Sequence, residues 1–343
     1  MRKTVLLGSA AIAASAGLAI LRMRRRINIE GQVVLIMGGS RGLGFALARE
    51  FASHGCSLIL CARSAEELER AERHLSNIPG KLATIPCDVT DAKQVSDCIA
   101  RAIAEFGRID ILVNNAGAIS VGPLHAMTLE DFSAAMDVMF WGTVHATLAL
   151  LPHFQERDSG CIVNVTSVGG KVSIPHLLPS SCAKFAATAF SEGLSAALSG
   201  SGVRVLTIAP GLMRTGSFVS AYFKGAELGE AAWFSAATSL PGVSMSAKRA
   251  ARQIVVALER GRSERILGCP AKLMAWLHGS FPESMTAILG AINLLLPRGS
   301  QRSELGKDSA VLAKPWMRAL TLLGRRAARE HLQPAAPWKT RAG

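Results

Sequence analysis

"VVLIMGGSRGLG" (33–44) is the stretch on which the fold turns. Its first half is an unbroken apolar run, as expected of a strand covered on both faces. Its second half sets glycines around Ser40 and Arg41 and then opens a helix. Gly38, Gly42 and Gly44 let the backbone turn tightly and approach a pyrophosphate at the helix N-terminus, where the dipole favours an anion. Such a turn alone is a weak signal, so the flanking chain must supply the rest.

Outward from it, short apolar runs alternate with helical stretches. The runs at 33–38, 57–62, 82–86, 109–114, 161–167 and 203–210 predict buried strands, with a last one at 264–268. "SAEELERAERHLSN" (64–77) and "DAKQVSDCIARAIAEF" (91–106) predict amphipathic helices between them. Repeated strand–helix units imply an α/β doubly wound parallel sheet with right-handed crossovers. After Gly211 the period is lost, and 212–242 is expected to be a mobile segment over a pocket. "MTAILGAINLLLP" (285–297) is apolar but too short to span a bilayer; packing on the body is the default expectation.

The chain has 343 residues, 49% of them apolar, and seven scattered cysteines. No Cys/His cluster occurs, so neither a zinc site nor a disulfide framework is expected, and a reducing compartment fits. The net charge of +13 sits at the ends: six Lys/Arg against one acid in 1–30, and ten against three in 298–343. A nucleic-acid-binding domain would gather basic residues on a folded face, so no nucleic-acid partner is expected. "TVLLGSAAIAASAGLAIL" (4–21) has no charge and runs into "RMRRR", the pattern of a single-pass membrane anchor that leaves the main domain cytoplasmic. The organisation expected is an anchor and basic flank (1–28), a nucleotide-binding and catalytic domain (29–270), and an extension of an apolar helix and a basic tail (271–343). The tail is expected to be at best partly ordered.

Residues 31 to about 268 resemble the short-chain dehydrogenase/reductase family. The glycine turn matches its TGxxxGxG motif except for Met37 in place of threonine; "CDVT" (87–90), "NNAG" (114–117) and "PG" (210–211) match further motifs in order. The resemblance implies a Rossmann-type fold and a nicotinamide cofactor. The cofactor would be held by the turn (Gly38, Ser40, Arg41, Gly42, Leu43, Gly44) and by Asp88 and Val89 beside the adenine. Asn115, Ala116, Gly117, Pro210, Gly211 and Thr215 would complete its site. Charge decides which cofactor: the second strand ends in Arg63, Arg41 lies in the turn, and no acid is evident beside them. A 2′-phosphate wants cations where a 2′-hydroxyl wants a carboxylate, so NADP(H) is expected over NAD(H).

The resemblance also implies a catalytic serine, tyrosine, lysine and asparagine. Ser167 matches the serine, and Lys184, which would also hold the nicotinamide ribose, matches the lysine. The tyrosine position, four residues before Lys184 and so on the same helix face, holds Ser180, and the asparagine position holds Met139. A serine hydroxyl reaches roughly 4–5 Å less far than a phenol by bond-length addition and is far less acidic. The expectation is an oxidoreductase of weakened turnover, with His176, Tyr222 or a water as substitute proton donors. The alternative is an inactive nucleotide-binding protein with a scaffold or regulatory role. The anchor and the apolar loop around Phe218 and Trp233 point to a lipophilic alcohol or carbonyl substrate. By resemblance, the helix bearing Lys184 would mediate a homo-oligomer.

Overall fold

The computed structural model describes residues 26–299 and 302–334. The run ahead of the glycine turn forms β1 (Val33–Met37), every residue of it buried, and Gly42–Ser53 forms helix α1 behind the turn. The remaining runs give β2 (Ser57–Ala62), β3 (Leu82–Pro86), β4 (Ile111–Asn114), β5 (Gly160–Val165), β6 (Val203–Pro210) and β7 (Glu264–Leu267). They form one parallel sheet in the order β7-β6-β5-β4-β1-β2-β3, with Leu35 of β1 opposite Ile59 on one side and Leu112 on the other. The order reverses at β1 and β4, and a crevice opens at their C-terminal ends.

Helix α2 (Ala65–His74) starts on Ser64, whose hydroxyl accepts the Glu67 N–H, and α3 (Ala92–Phe106) starts on the Asp91 carboxylate. Such caps satisfy amides that the first turn leaves unpaired. Helix α4 (Leu129–Glu156) follows, then α5 (Leu178–Ala197), α6 (Glu227–Ala237) and α7 (Ala247–Glu259). Two apolar layers sandwich the sheet: Phe45, Leu47 and Ile254 on one face, Ile99, Leu150 and Phe154 on the other. Among the described residues only α4 is long and apolar enough to cross a membrane, but Ala146, Leu150 and Phe154 commit its inner face to the core. The 4–21 run lies outside the described residues.

The structure adds detail to three expectations. The 212–242 segment lines the cleft with regular structure: Tyr222–Gly225 pairs with Ser120–Val121 and with Arg302–Leu305 in a small sheet, and α6 follows. Residues 286–295 lie mostly exposed, while Pro297 packs against Gly229 of α6. Helices α8 (Cys269–Ser280) and α9 (Pro282–Leu295) form a hairpin that packs on itself, Trp276 against Phe281 edge to face at 6.3 Å. Its outward stripe of Leu273, Trp276, Ile288, Ile292 and Leu295 is exposed. The described part of the basic tail, which runs to residue 334, carries α10 (Pro315–Leu320) and α11 (Leu322–Glu330). The inner face of α11 carries Gly324, Ala327 and Ala328, so the backbones approach closely: a Cβ on Gly324 would lie 2.1 Å from Ser239 Oγ.

Candidate active site

One cleft of about 1280 Å³ runs along the C-terminal ends of the strands, and all the sequence-predicted cofactor and catalytic residues line it except Gly44. Gly44 lies beneath the turn, where a Cβ would come within 1.9 Å of the Gly38 carbonyl. Gly38 and Gly42 take left-handed backbone (φ 79 and 61), which only glycine adopts without strain. A Cβ at Gly38 would meet the Ala116 backbone at 2.9 Å, and Asn115 Nδ2 donates to Gly38 O at 2.9 Å, tying β4 to the turn. The cradle is thus narrow and glycine-lined at the α1 N-terminus, and these residues fit a pyrophosphate.

Below the cleft, Asn114 Nδ2 donates to Asn164 Oδ1 (2.8 Å) and Asn164 Nδ2 to Ser191 Oγ (2.9 Å), which pairs with Thr207 (2.7 Å). This buried chain fixes β4, β5, β6 and α5 relative to one another, because each polar group would be costly to leave unpaired. Gly211 N–H donates to Leu267 O at 3.0 Å, and Thr215 Oγ1 accepts from Ser217 N at 3.2 Å. Asp88 Oδ1 accepts from the Thr90 amide at 3.0 Å, which holds the carboxylate at the β3 end beside Val89.

The charge pattern differs from the expectation at one point. Arg63 is exposed on the cleft wall and has no ion-pair partner among the described residues. Arg41, however, is met by an acid: its Nε lies 3.1 Å from Glu67 Oε2, which also accepts from Ser40 Oγ at 3.0 Å. The sequence held a sign of this. "SAEE" (64–67) has the capping-box pattern, which sets its glutamate at the start of a helix following β2.

At the other end, Ser167 Oγ caps a short turn by accepting from Gly169 N–H at 3.0 Å. Lys184 Nζ donates to Val165 O at 2.7 Å, and burial pulls its ammonium down to about 8. Ser180 Oγ is buried in the cleft wall with no hydrogen-bond partner among the described residues. Met139 is buried at the cleft edge, on a π-type turn (Asp137–Trp141) that widens α4; such turns recur at functional sites.

His176 is not brought to the cleft. Its backbone is left-handed (φ 61), and its buried ring pairs with Glu230 Oε1 at 2.7 Å, while Trp233 Nε1 donates to Glu230 Oε2 at 2.6 Å. It clamps α6 to the segment before α5, and its proposed role as proton donor is withdrawn. Tyr222, half exposed, does line the cleft.

The C-terminal segment also reaches the site, which no sequence pattern announces. The Gly42 amide donates to His331 O at 2.8 Å, and Arg41 Nη1 donates to Gln333 Oε1 at 2.8 Å.

The short chain dehydrogenase family model matches residues 32–222. The chain is 36% identical over 197 residues to a dehydrogenase/reductase SDR family protein 7-like from Anopheles gambiae; the match takes in 56% of this chain and 62% of that relative, so it spans about three fifths of the relative's length. A short-chain dehydrogenase structure from Streptomyces avermitilis superposes with a TM-score of 0.65 at 30% identity, covering 77% of this chain and 99% of that one. One from Burkholderia cenocepacia, solved in complex with NADP, gives 0.63 at 27% identity, with the same 77% and 99% coverage. This chain therefore belongs to the short-chain dehydrogenase/reductase family and has its oxidoreductase fold.

Proposed function

We propose that this chain is a membrane-tethered NADP(H)-dependent oxidoreductase of lipophilic alcohols or carbonyl compounds, with turnover weakened by Ser180. The observation that carries this reading is the convergence on one cleft of a glycine cradle, an exposed Arg63 with no ion-pair partner among the described residues, and Ser167 with Lys184. A relative solved with NADP supports a nicotinamide cofactor. A bound nicotinamide would supply or accept hydride at the substrate carbon. The chain's own part is to hold and protonate. Arg63, with Arg41, would grip the 2′-phosphate, Asp88 and Val89 would bound the adenine, and the α1 N-terminus would face the pyrophosphate. Lys184, charged at neutral pH with its ammonium near 8, would hold the nicotinamide ribose. The Ser167 hydroxyl would orient the substrate oxygen.

The proton is the weak point. Ser180 Oγ lies buried where the family's phenol would extend, too short to reach the substrate and too weak an acid to serve it. The apolar stripe of α8–α9 beside the cleft and the 4–21 run support a lipid-surface setting and a lipophilic substrate. Exposed Trp141, Leu148 and Phe185 on α4 and α5 support a homo-oligomer.

Fluorescence titration of the full chain with NADPH and NADH tests the reading. Saturable binding with NADPH the tighter is expected; a chain that binds neither has another function.

A further inference from the structure

We propose that residues 331–334 form a strap over the nucleotide cleft and set the rate at which cofactor enters and leaves. The proposal rests on reading the cleft as a dinucleotide site. The segment lies outside the family match, which ends at residue 222.

The strap is tied to both banks of the cleft. On the glycine-turn bank, Gly42 N–H donates to His331 O and Arg41 Nη1 to Gln333 Oε1, each at 2.8 Å. On the opposite bank, Gln333 Nε2 donates to Thr215 O at 3.3 Å and Ser220 Oγ to Gln333 Oε1 at 3.0 Å. One glutamine amide therefore bridges the loop that starts α1 and the loop that follows β6, which Arg41 Nη1 also joins directly by donating to Ser220 Oγ. Behind it, Ala328 of α11 packs so closely on the second loop that a Cβ at Gly216 would lie 2.3 Å away. Leu332 is buried in the core layer that contains Phe45 and Leu47 of α1, with left-handed backbone (φ 56). A leucine keeps that conformation only where its surroundings hold it.

A pyrophosphate belongs at the α1 N-terminus, and a dinucleotide reaching from Arg63 to Lys184 must pass that point. The strap crosses there. Four hydrogen bonds, each of about 0.5–1.5 kcal/mol net, must open for the nucleotide to pass. The same bonds, closed again over a bound nucleotide, hold it in. The device acts on rates in both directions more than on affinity.

Stopped-flow fluorescence with NADPH, and displacement by excess NADP⁺, measure both rates. The forms compared are the full chain, Gln333→Ala, and a chain ending at Glu330 that keeps α11. Gln333→Ala removes three of the four bonds, so association and dissociation should both rise at least about tenfold, as loss of three bonds of about 0.5 kcal/mol or more each implies, and further in the shortened chain. The dissociation constant should move less than either rate. Unchanged rates in both variants, or a rise in dissociation alone, overturn the strap while leaving the dinucleotide site intact. Failure of every form to bind nucleotide removes the site and the strap together.

Discussion

The two ends of the cleft are built to different standards. At the nucleotide end, left-handed glycines, the Asn115–Gly38 bond and the α1 N-terminus form a cradle whose backbones approach so closely that no side chain could replace its hydrogens. At the chemical end the scaffold is equally firm, with the buried Asn114–Asn164–Ser191–Thr207 chain beneath it, yet the position of the family's phenol holds Ser180, whose hydroxyl has no partner among the described residues. Holding and reacting thus separate physically. Holding needs backbone shape and charge, which β1, α1 and the loops supply; reacting needs one acidic hydrogen at one place, which under the proposed function Ser180 does not supply.

The sharpest way to break this contrast is to restore the missing group. Ser180→Tyr should raise NADPH-dependent reduction of lipophilic ketones by on the order of 100- to 10,000-fold, the usual contribution of a positioned general acid, with nucleotide affinity little changed. Equal rates in both forms would show that another donor already serves the site, and Tyr222→Phe would then reveal whether it is Tyr222. Inactivity of both forms would favour the scaffold reading.

The nucleotide end was legible in the sequence because its parts are local. Each strand is a short apolar run, and the glycine turn, "NNAG" and "PG" each carry their meaning within a few residues. What escaped reading depends on distant partners. Tyr222–Gly225 is a strand because Ser120–Val121 and Arg302–Leu305 pair with it. "LLGRRAARE" reads as a basic tail until Gly324 and Ala327 are seen to be its packing face. His176 resembled a pocket wall in sequence, but Glu230, 54 residues on, draws it away. Gln333 has no local signature at all.

A second test lies at Lys184, where the two ends meet. Burial lowers its ammonium from the ordinary 10.5 to about 8. Below pH 8 the lysine is charged in both folded and unfolded chains, and the folded state bears the full cost of burying it. Between pH 8 and 10.5 the folded chain has lost the proton and the unfolded chain has not, so stability rises with pH. Lys184→Met should therefore gain stability over the natural chain at pH 7 and lose that advantage by pH 10, a change on the order of 2 kcal/mol. Denaturant unfolding at the two pH values measures it; a difference independent of pH would mean the ammonium is not desolvated.

The smallest effects, and the most discriminating, concern cofactor choice. Arg63 stands exposed and unpaired among the described residues, whereas Arg41 shares its charge with Glu67 at 3.1 Å. If the 2′-phosphate is gripped by both arginines, Arg63→Ala should weaken NADPH about 10- to 100-fold, as loss of a charge-assisted bond of about 1.5–3 kcal/mol implies, and leave NADH nearly untouched. Glu67→Gln keeps the shape and the Ser40 contact but releases the Arg41 charge, so NADPH should tighten by about threefold, the scale of a partly exposed ion pair. The opposite pattern has an equally definite meaning. A carboxylate near the end of β2 is also what grips a ribose 2′-hydroxyl. If Glu67→Gln instead weakens NADH while NADPH stays put, Glu67 is a ribose ligand rather than a brake on Arg41, and the chain is an NAD(H) protein. Dissociation constants for both nucleotides on these two variants decide it, because the competing roles move different cofactors.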